Sequence, residues 1–163
     1  MSQKTNAARI LEQGKILYDL KEYIVDETDL SAVSVAQKVG LPLEQVYKTI
    51  VARGDKTGVL VACIQSNYEL NLKGLAVLSG NKKVEVVSLK EVQPLTGYIR
   101  GGVSPIGMKK NYPVFIDKTI ENHEKIAISA GLRGLQLFLR PIDLISVTKA
   151  QLGMITLHRN EVA

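Results

Sequence analysis

The chain has no tryptophan, two phenylalanines, two histidines and a single cysteine among its 163 residues. With so few large aromatics, the core must be built from Val, Ile, Leu and Ala, which suits a sheet-rich domain covered by a few helices. One cysteine, Cys63, excludes an intramolecular disulfide framework. Two histidines and one cysteine are a poor zinc set, so neither a metal nor a cofactor is expected. His123 sits in the polar Glu121-Asn122-His123-Glu124 turn and His158 lies near the end. Neither is positioned as a general base. No apolar run approaches the roughly 18 residues of a membrane helix. The stretch from Met1 to Asn6 also lacks the apolar core of a secretory signal. The expectation is a soluble, cytoplasmic protein of one domain, residues 1–163.

What is present points to a mixed α+β domain. Lys and Arg number 21 against 16 Asp and Glu, a net charge of +5 that is compatible with a polyanionic partner without requiring one. Thr5 is a candidate cap for a helix carrying Ala7, Ile10 and Leu11, and Gly14 a stop. Ile16 to Val25 reads as extended. Ser34 and Gln37 have capping-box spacing for a second helix that ends at Gly40. Val46 to Ala52 and Val59 to Ile64 read as a hairpin. Asn71 to Leu78 should be a helix closed by Gly80, and Val84 to Val87 a strand. Ser88 and Glu91 form another capping box, before a brief helix that Pro94 disturbs. Strands are expected at Pro113 to Asp117, Lys125 to Ser129 and Leu135 to Leu139. Pro141 and Asp143 then open a last helix reaching about Ala150. The tail from His158 on reads as frayed.

Three features carry candidate chemistry. In an extended Val46-Tyr47-Lys48-Thr49-Ile50-Val51-Ala52, Lys48 shares a face with Val46, Ile50 and Ala52. A lysine on an apolar face is either a cation at a cavity mouth or a side chain snorkelling from an edge strand. The second feature is the segment Thr96 to Lys110, with four glycines, Pro105, Ser104, Arg100 and the Lys109-Lys110 pair. Gly102 and Gly107 have P-loop spacing, but Met108 stands where the lysine should follow. Gly102-Val103-Ser104-Pro105 is no nucleophile elbow, because the residue after that serine must donate an N–H and Pro105 has none. Ser104 is therefore a better substrate-binding hydroxyl than a nucleophile. The third feature, Ser129 to Leu135, reads as a glycine-flanked hairpin turn. Cys63 lies inside an apolar run and reads as a core residue.

In this order, Tyr23, Val46-Tyr47-Lys48-Thr49, Leu70-Asn71-Leu72-Lys73, Thr96-Gly97-Tyr98 running into Gly101-Gly102-Val103-Ser104-Pro105, Gly131-Leu132-Arg133-Gly134 and Pro141-Ile142-Asp143 closely resemble the YbaK/EbsC family. That family is related to the editing domain of prolyl-tRNA synthetase. The resemblance implies a mostly antiparallel mixed sheet closing into a barrel-like core flanked by helices. It also implies hydrolysis of the ester joining a wrong amino acid to the 3′ end of tRNA, above all in Cys-tRNA(Pro), with prolyl-tRNA synthetase as a companion. Lys48 and Gly101 would be the catalytic pair. Tyr23, Thr49, Gly102, Ser104, Pro105, Gly131 and Asp143 would bind substrate. An Ala-tRNA(Pro) specificity and a non-catalytic tRNA- or synthetase-binding module stay open, as does the oligomeric state.

Overall fold

The computed structural model describes residues 5–157; the tail from His158 on lies outside them. Thr5 caps α1 (Asn6–Gln13) by accepting the Ala8 N–H at 3.2 Å. β1 (Asp19–Glu22) follows, then α2 (Ala32–Val39). Here the expected cap is corrected: Ser31, not Ser34, accepts the first free amide, that of Ser34, at 3.2 Å. Asp29 receives the Ser31 N–H and turns the chain into the helix three residues early. Gly40 closes α2 at φ +74°, a left-handed conformation that glycine adopts without strain.

After a 3-10 turn (Leu43–Gln45), β2 (Tyr47–Gly54) and β3 (Gly58–Gln65) form the expected antiparallel hairpin. Then come β4 (Glu69–Leu70), α3 (Leu72–Ser79), β5 (Val84–Val86) and α4 (Leu89–Thr96). α4 runs through Pro94 instead of breaking there. Pro94 and Lys90, whose carbonyl loses its amide partner, are both exposed, so water can supply the missing donor. An irregular stretch leads to β6 (Val114–Asp117), a 3-10 helix (Lys118–Asn122), β7 (Ile126–Leu132) and β8 (Leu135–Leu139). The chain ends in α5 (Pro141–Thr148), β9 (Gln151–Gly153) and β10 (Thr156–Leu157).

Three sheets result. The largest has the order β5-β2-β3-β6-β9, antiparallel as far as β3 and parallel from β3 to β9. The second is antiparallel β1-β8-β7, and the third is the β10-β4 pair. Most pairings are antiparallel, as expected, but the expected barrel closure is corrected. Among the described residues the two larger sheets are joined by one parallel bridge, Val46 to Ala127. β2 then diverges from β7, and no continuous ladder runs around the core.

β3 is buried on both faces. Val61 and Cys63 join the main core with Tyr47, Ile116, Ile128, Leu137 and Leu144. Leu60, Ala62 and Ile64 join a second core with Ala52, Leu75, Phe115 and Ile155. This two-sided burial explains why β3 is apolar at successive positions instead of alternating.

α4 is held against β2 by Glu91, whose carboxylate receives Arg53 at 2.9 Å and the Ser88 N–H and O–H at 3.1 and 3.0 Å. Arg53 and then Ser88 hold that carboxyl below its ordinary range. The folded state therefore binds the proton less readily than the unfolded chain. Its contribution is present above the ordinary carboxylate pKa and is lost as pH falls through the lower folded value. Glu91→Gln should lower the urea midpoint at pH 7, and the difference from wild type should shrink as the pH falls below the ordinary carboxylate range.

Candidate functional site

A cavity opens where β2 parts from β7. In an antiparallel pair, alternate residues turn their N–H and C=O toward and away from the partner strand. The Val61 N–H leaves β3 toward Pro113, and the Val87 N–H reaches the Val51 carbonyl from outside β2, so Val51 points away from β3. By the same alternation, the backbone of Thr49 points outward too. β5 pairs with β2 only from Ala52 to Gly54, and among the described residues the bridge to β7 is at Val46, just before β2 begins. Between them the outer edge of β2 opens onto a cavity of about 310 Å³.

Lys48 and Thr49 both line this cavity. Lys48 is half-buried, and its Nζ donates to the Ser66 carbonyl at 3.3 Å, just past the end of β3. Ser66 is itself tied to the Val46 carbonyl through its hydroxyl. The ammonium therefore stands on a braced strand at the cavity wall and not on a mobile surface. Thr49 Oγ1 lies 3.9 Å from Cys63 Sγ, which is fully buried behind it.

The lining also includes Arg100, Gly101 and Val103 from the glycine-rich segment. Gly101 has φ +85°, and the Gly102 N–H donates to the Ile99 carbonyl at 2.9 Å, closing a turn. Glycine is required there, since that φ is strained for any residue with a Cβ. Leu30, Val35, Ile50, Val87, Leu89 and Val92 make the remaining lining mainly apolar.

The glycine-rich segment is fastened from within. Tyr98 Oη donates to the Ile106 carbonyl at 2.6 Å, Thr96 Oγ1 accepts the Tyr98 N–H, and Asn6 donates to the Gly107 carbonyl. Burial raises the Tyr98 pKa above its ordinary value, so the phenol stays a neutral donor. Ser104 belongs to this internal set: it is fully buried, and its Oγ accepts the Ile106 N–H.

The other residues expected at the site are spread more widely. Pro105 lines a separate hollow of about 340 Å³ with Asn6, Ile10 and Tyr112. Gly102 is a close-approach glycine, since a Cβ there would come within 3.1 Å of the Leu132–Arg133 backbone. Gly131 has φ +104°, and its missing Cβ leaves room for the Tyr98 ring, which that atom would meet at 2.8 Å. Tyr23 extends the β1–β8 pairing through its N–H to Gly134 and is not part of the cavity wall. Asp143 pairs with Arg140 at 3.0 Å at the start of α5. Thus Lys48, Thr49 and Gly101 come together at one cavity, and the remaining expected residues support or lie apart from it.

Among the polar lining residues, Ser66, Ser129 and Gln136 were not expected at the site. Ser129 and Gln136 are cross-strand partners in β7 and β8, both buried, and both face the cavity. The Ser129 hydroxyl accepts the Gly131 N–H at 3.1 Å, whereas Gln136 Oε1 is buried with no hydrogen-bond partner among the described residues. In Leu135-Gln136-Leu137-Phe138-Leu139, a polar residue at period two reads as solvent-facing. The signal that could have found it is its register opposite Ser129, set by the hairpin turn.

Comparison with known proteins decides the family. A family model described as an aminoacyl-tRNA editing domain matches residues 27–147. The chain belongs to the aminoacyl-tRNA editing domain family. It is 48% identical over 154 residues, 94% of each chain, to EbsC of Enterococcus faecalis, to which its name provisionally assigns Cys-tRNA(Pro)/Cys-tRNA(Cys) deacylase activity. It is 28% identical over 102 residues to a proline–tRNA ligase of Burkholderia multivorans, of which it spans 18%. Among solved structures, one named provisionally as a trans-editing enzyme for prolyl-tRNA synthetase superposes with TM-score 0.81 at 25% identity, covering 96% of this chain and 99% of that one. The hypothetical protein APE2540 superposes with TM-score 0.86 at 21% identity, over 94% and 100% of the two chains, and so shares the fold of this editing domain.

Behind the site, burial pushes the Cys63 thiol up to about 12, only partly offset by Thr49. The thiol is therefore neutral at physiological pH, and thiolate is the reactive form. Alkylation of the folded protein by iodoacetamide at pH 8 should be slower than in urea by on the order of a thousandfold, from the thiolate fraction alone. Equal rates in the two states would contradict this placement.

Proposed function

We propose that the chain is a trans-editing deacylase that hydrolyses mischarged aminoacyl-tRNA, with Cys-tRNA(Pro) its main substrate. The observation that carries this reading is the pairing of Lys48 and the Gly101 turn at one mainly apolar cavity. A volume of about 310 Å³ is at the low end of the roughly 300–1,000 Å³ of ligand pockets, which suits an aminoacyl ester and part of its ribose. Lys48 offers charge to the polyanionic end of a tRNA, and the Gly101 turn offers a backbone N–H to the ester carbonyl.

The ester is already activated, so orientation and oxyanion stabilisation can supply much of the rate. In a substrate-assisted route, the cysteinyl thiol of the substrate attacks its own carbonyl carbon. A C–S bond forms, negative charge gathers on the carbonyl oxygen, and the C–O bond to ribose breaks. The thiol proton passes to the departing ribose oxygen, and a cyclic thioester is released to water. This route needs no protein nucleophile, which agrees with the sealed positions of Ser104 and Cys63. The proline–tRNA ligase relatives support a role beside that synthetase, and work on charged tRNA fits the cytoplasm.

Purified protein should release cysteine from Cys-tRNA(Pro) faster than alanine or proline from the same tRNA. Lys48→Ala should slow it by about a hundredfold, the usual cost of removing one well-placed charge-stabilising group. Background release from all three substrates by the wild type, with retained tRNA binding, would turn the reading into one of a non-catalytic binding module.

The unpartnered Gln136 Oε1 is suited to accept from the substrate's α-ammonium group. Gln136→Leu keeps the volume and removes the acceptor. It should raise KM about tenfold with kcat little changed, as for a contact made equally in ground and transition states. An unchanged KM would remove Gln136 from substrate recognition.

A further inference from the structure

Arg133, which stands at the tip of the β7–β8 hairpin and is not part of the cavity wall, joins two separate parts of the site. Its side chain is only 25% exposed. Nε donates to the Arg100 carbonyl at 2.7 Å, and Nη1 meets Glu27 Oε2 at 2.8 Å. The first contact fixes the turn that carries Gly101. The second fixes the 24–31 segment, which contributes Leu30 to the cavity wall. The packing is close: a Cβ on Gly101 would stand 3.2 Å from Arg133 Nε and 3.6 Å from Leu30 Cδ1.

The arrangement bears on which way one peptide faces. A trans peptide carries its C=O and N–H on opposite sides. Because the Arg100 carbonyl is turned to Arg133, the Gly101 N–H is turned away from it. The φ of +85° at Gly101 is what a type II turn demands of its third residue. A type I turn reverses the same peptide, and glycine tolerates both. Reversal would offer the cavity a carbonyl oxygen in place of a donor, which repels a developing oxyanion instead of stabilising it. A charge-assisted hydrogen bond from a mostly buried guanidinium biases the choice strongly.

We propose that Arg133 is a positioning residue that holds the Arg100–Gly101 peptide with its N–H toward the substrate carbonyl, while Glu27 latches the 24–31 segment to the same guanidinium. The proposal rests on the deacylase reading for its catalytic consequence, but the orientation of the peptide can be measured without it.

Arg133→Met preserves length and packing without a donor, and Arg133→Lys restores one donor for the single carbonyl acceptor. On Cys-tRNA(Pro), Arg133→Met should lower kcat by about tenfold or more with KM within about twofold, the pattern of an interaction felt in the transition state. Arg133→Lys should recover most of the loss. Adding Gly101→Ala to Arg133→Met should cost less than the product of the single effects, because both disturb one peptide. The amide 1H–15N resonance of Gly101 should be single in wild type and in Arg133→Lys, and doubled or broadened in Arg133→Met. An unchanged Gly101 resonance in folded Arg133→Met overturns the proposal whatever the activity. Equal kcat losses in the Lys and Met variants, matched by equal drops in Tm, also overturn it by assigning the effect to packing. A silent wild type with the expected resonance pattern refutes the deacylase reading and leaves the latch standing.

Discussion

A β-strand must dispose of its outward N–H and C=O groups, and along β2 neighbouring strands pair near its two ends while the middle borders a cavity. β5 takes the far end, from Ala52 to Gly54, and the bridge between Val46 and Ala127 of β7 stands just before the near end. Thr49 falls between. The two larger sheets can be held by one bridge and still part within a few residues, because the core beneath them is continuous from Tyr47 through Ile128 to Leu144. The cavity is the space that this parting leaves. Lys48 comes to it as the neighbour of Thr49, on a strand whose other edge is fully laddered to β3. The chemistry therefore borders the interior without being part of it.

The glycine-rich lining is built differently. A glycine-rich stretch would by composition be mobile, yet this one is stitched by Thr96, Tyr98, Ser104 and Asn6 to itself and to α1. Its glycines serve close approach at Gly102 and an unusual φ at Gly101. The partner surfaces are supplied by the β7–β8 hairpin, so that hairpin acts as the template on which the segment takes its shape. Preorganisation of this kind matters where rate comes from aimed dipoles, since nothing then has to reorganise as charge develops.

Much of this was legible in the residues. The β2–β3 hairpin, α3 between Asn71 and Gly80, and the Ser88–Glu91 box each combine a period with a local stop or cap, and each formed where expected. β4, β9 and β10 are two or three residues long and carry no period, so only tertiary context reveals them. The barrel could not be tested by pattern at all, because closure depends on one long-range pairing between β2 and β7 that alternation does not encode. At the site, Lys48 was visible as a charge on an apolar face and Gly101 as part of a glycine cluster. Ser104 was placed with the substrate because a hydroxyl in a glycine loop looks available. The fold instead spends that hydroxyl on its own backbone. Gln136 was invisible because alternation in β8 disguises a second buried face as an exposed one.

The seclusion of Cys63 has a consequence for acyl traffic. A cyclic thioester formed from a cysteinyl ester is an acyl donor, and any nearby thiolate would compete with water for it. Transfer to a protein thiol would leave the amino acid attached to the editor itself. The Thr49 side chain lines the cavity and touches this chain's one thiol, yet burial keeps that thiol protonated. On the proposed route, the same wall that shapes the pocket thus keeps the protein from becoming its own dead-end product.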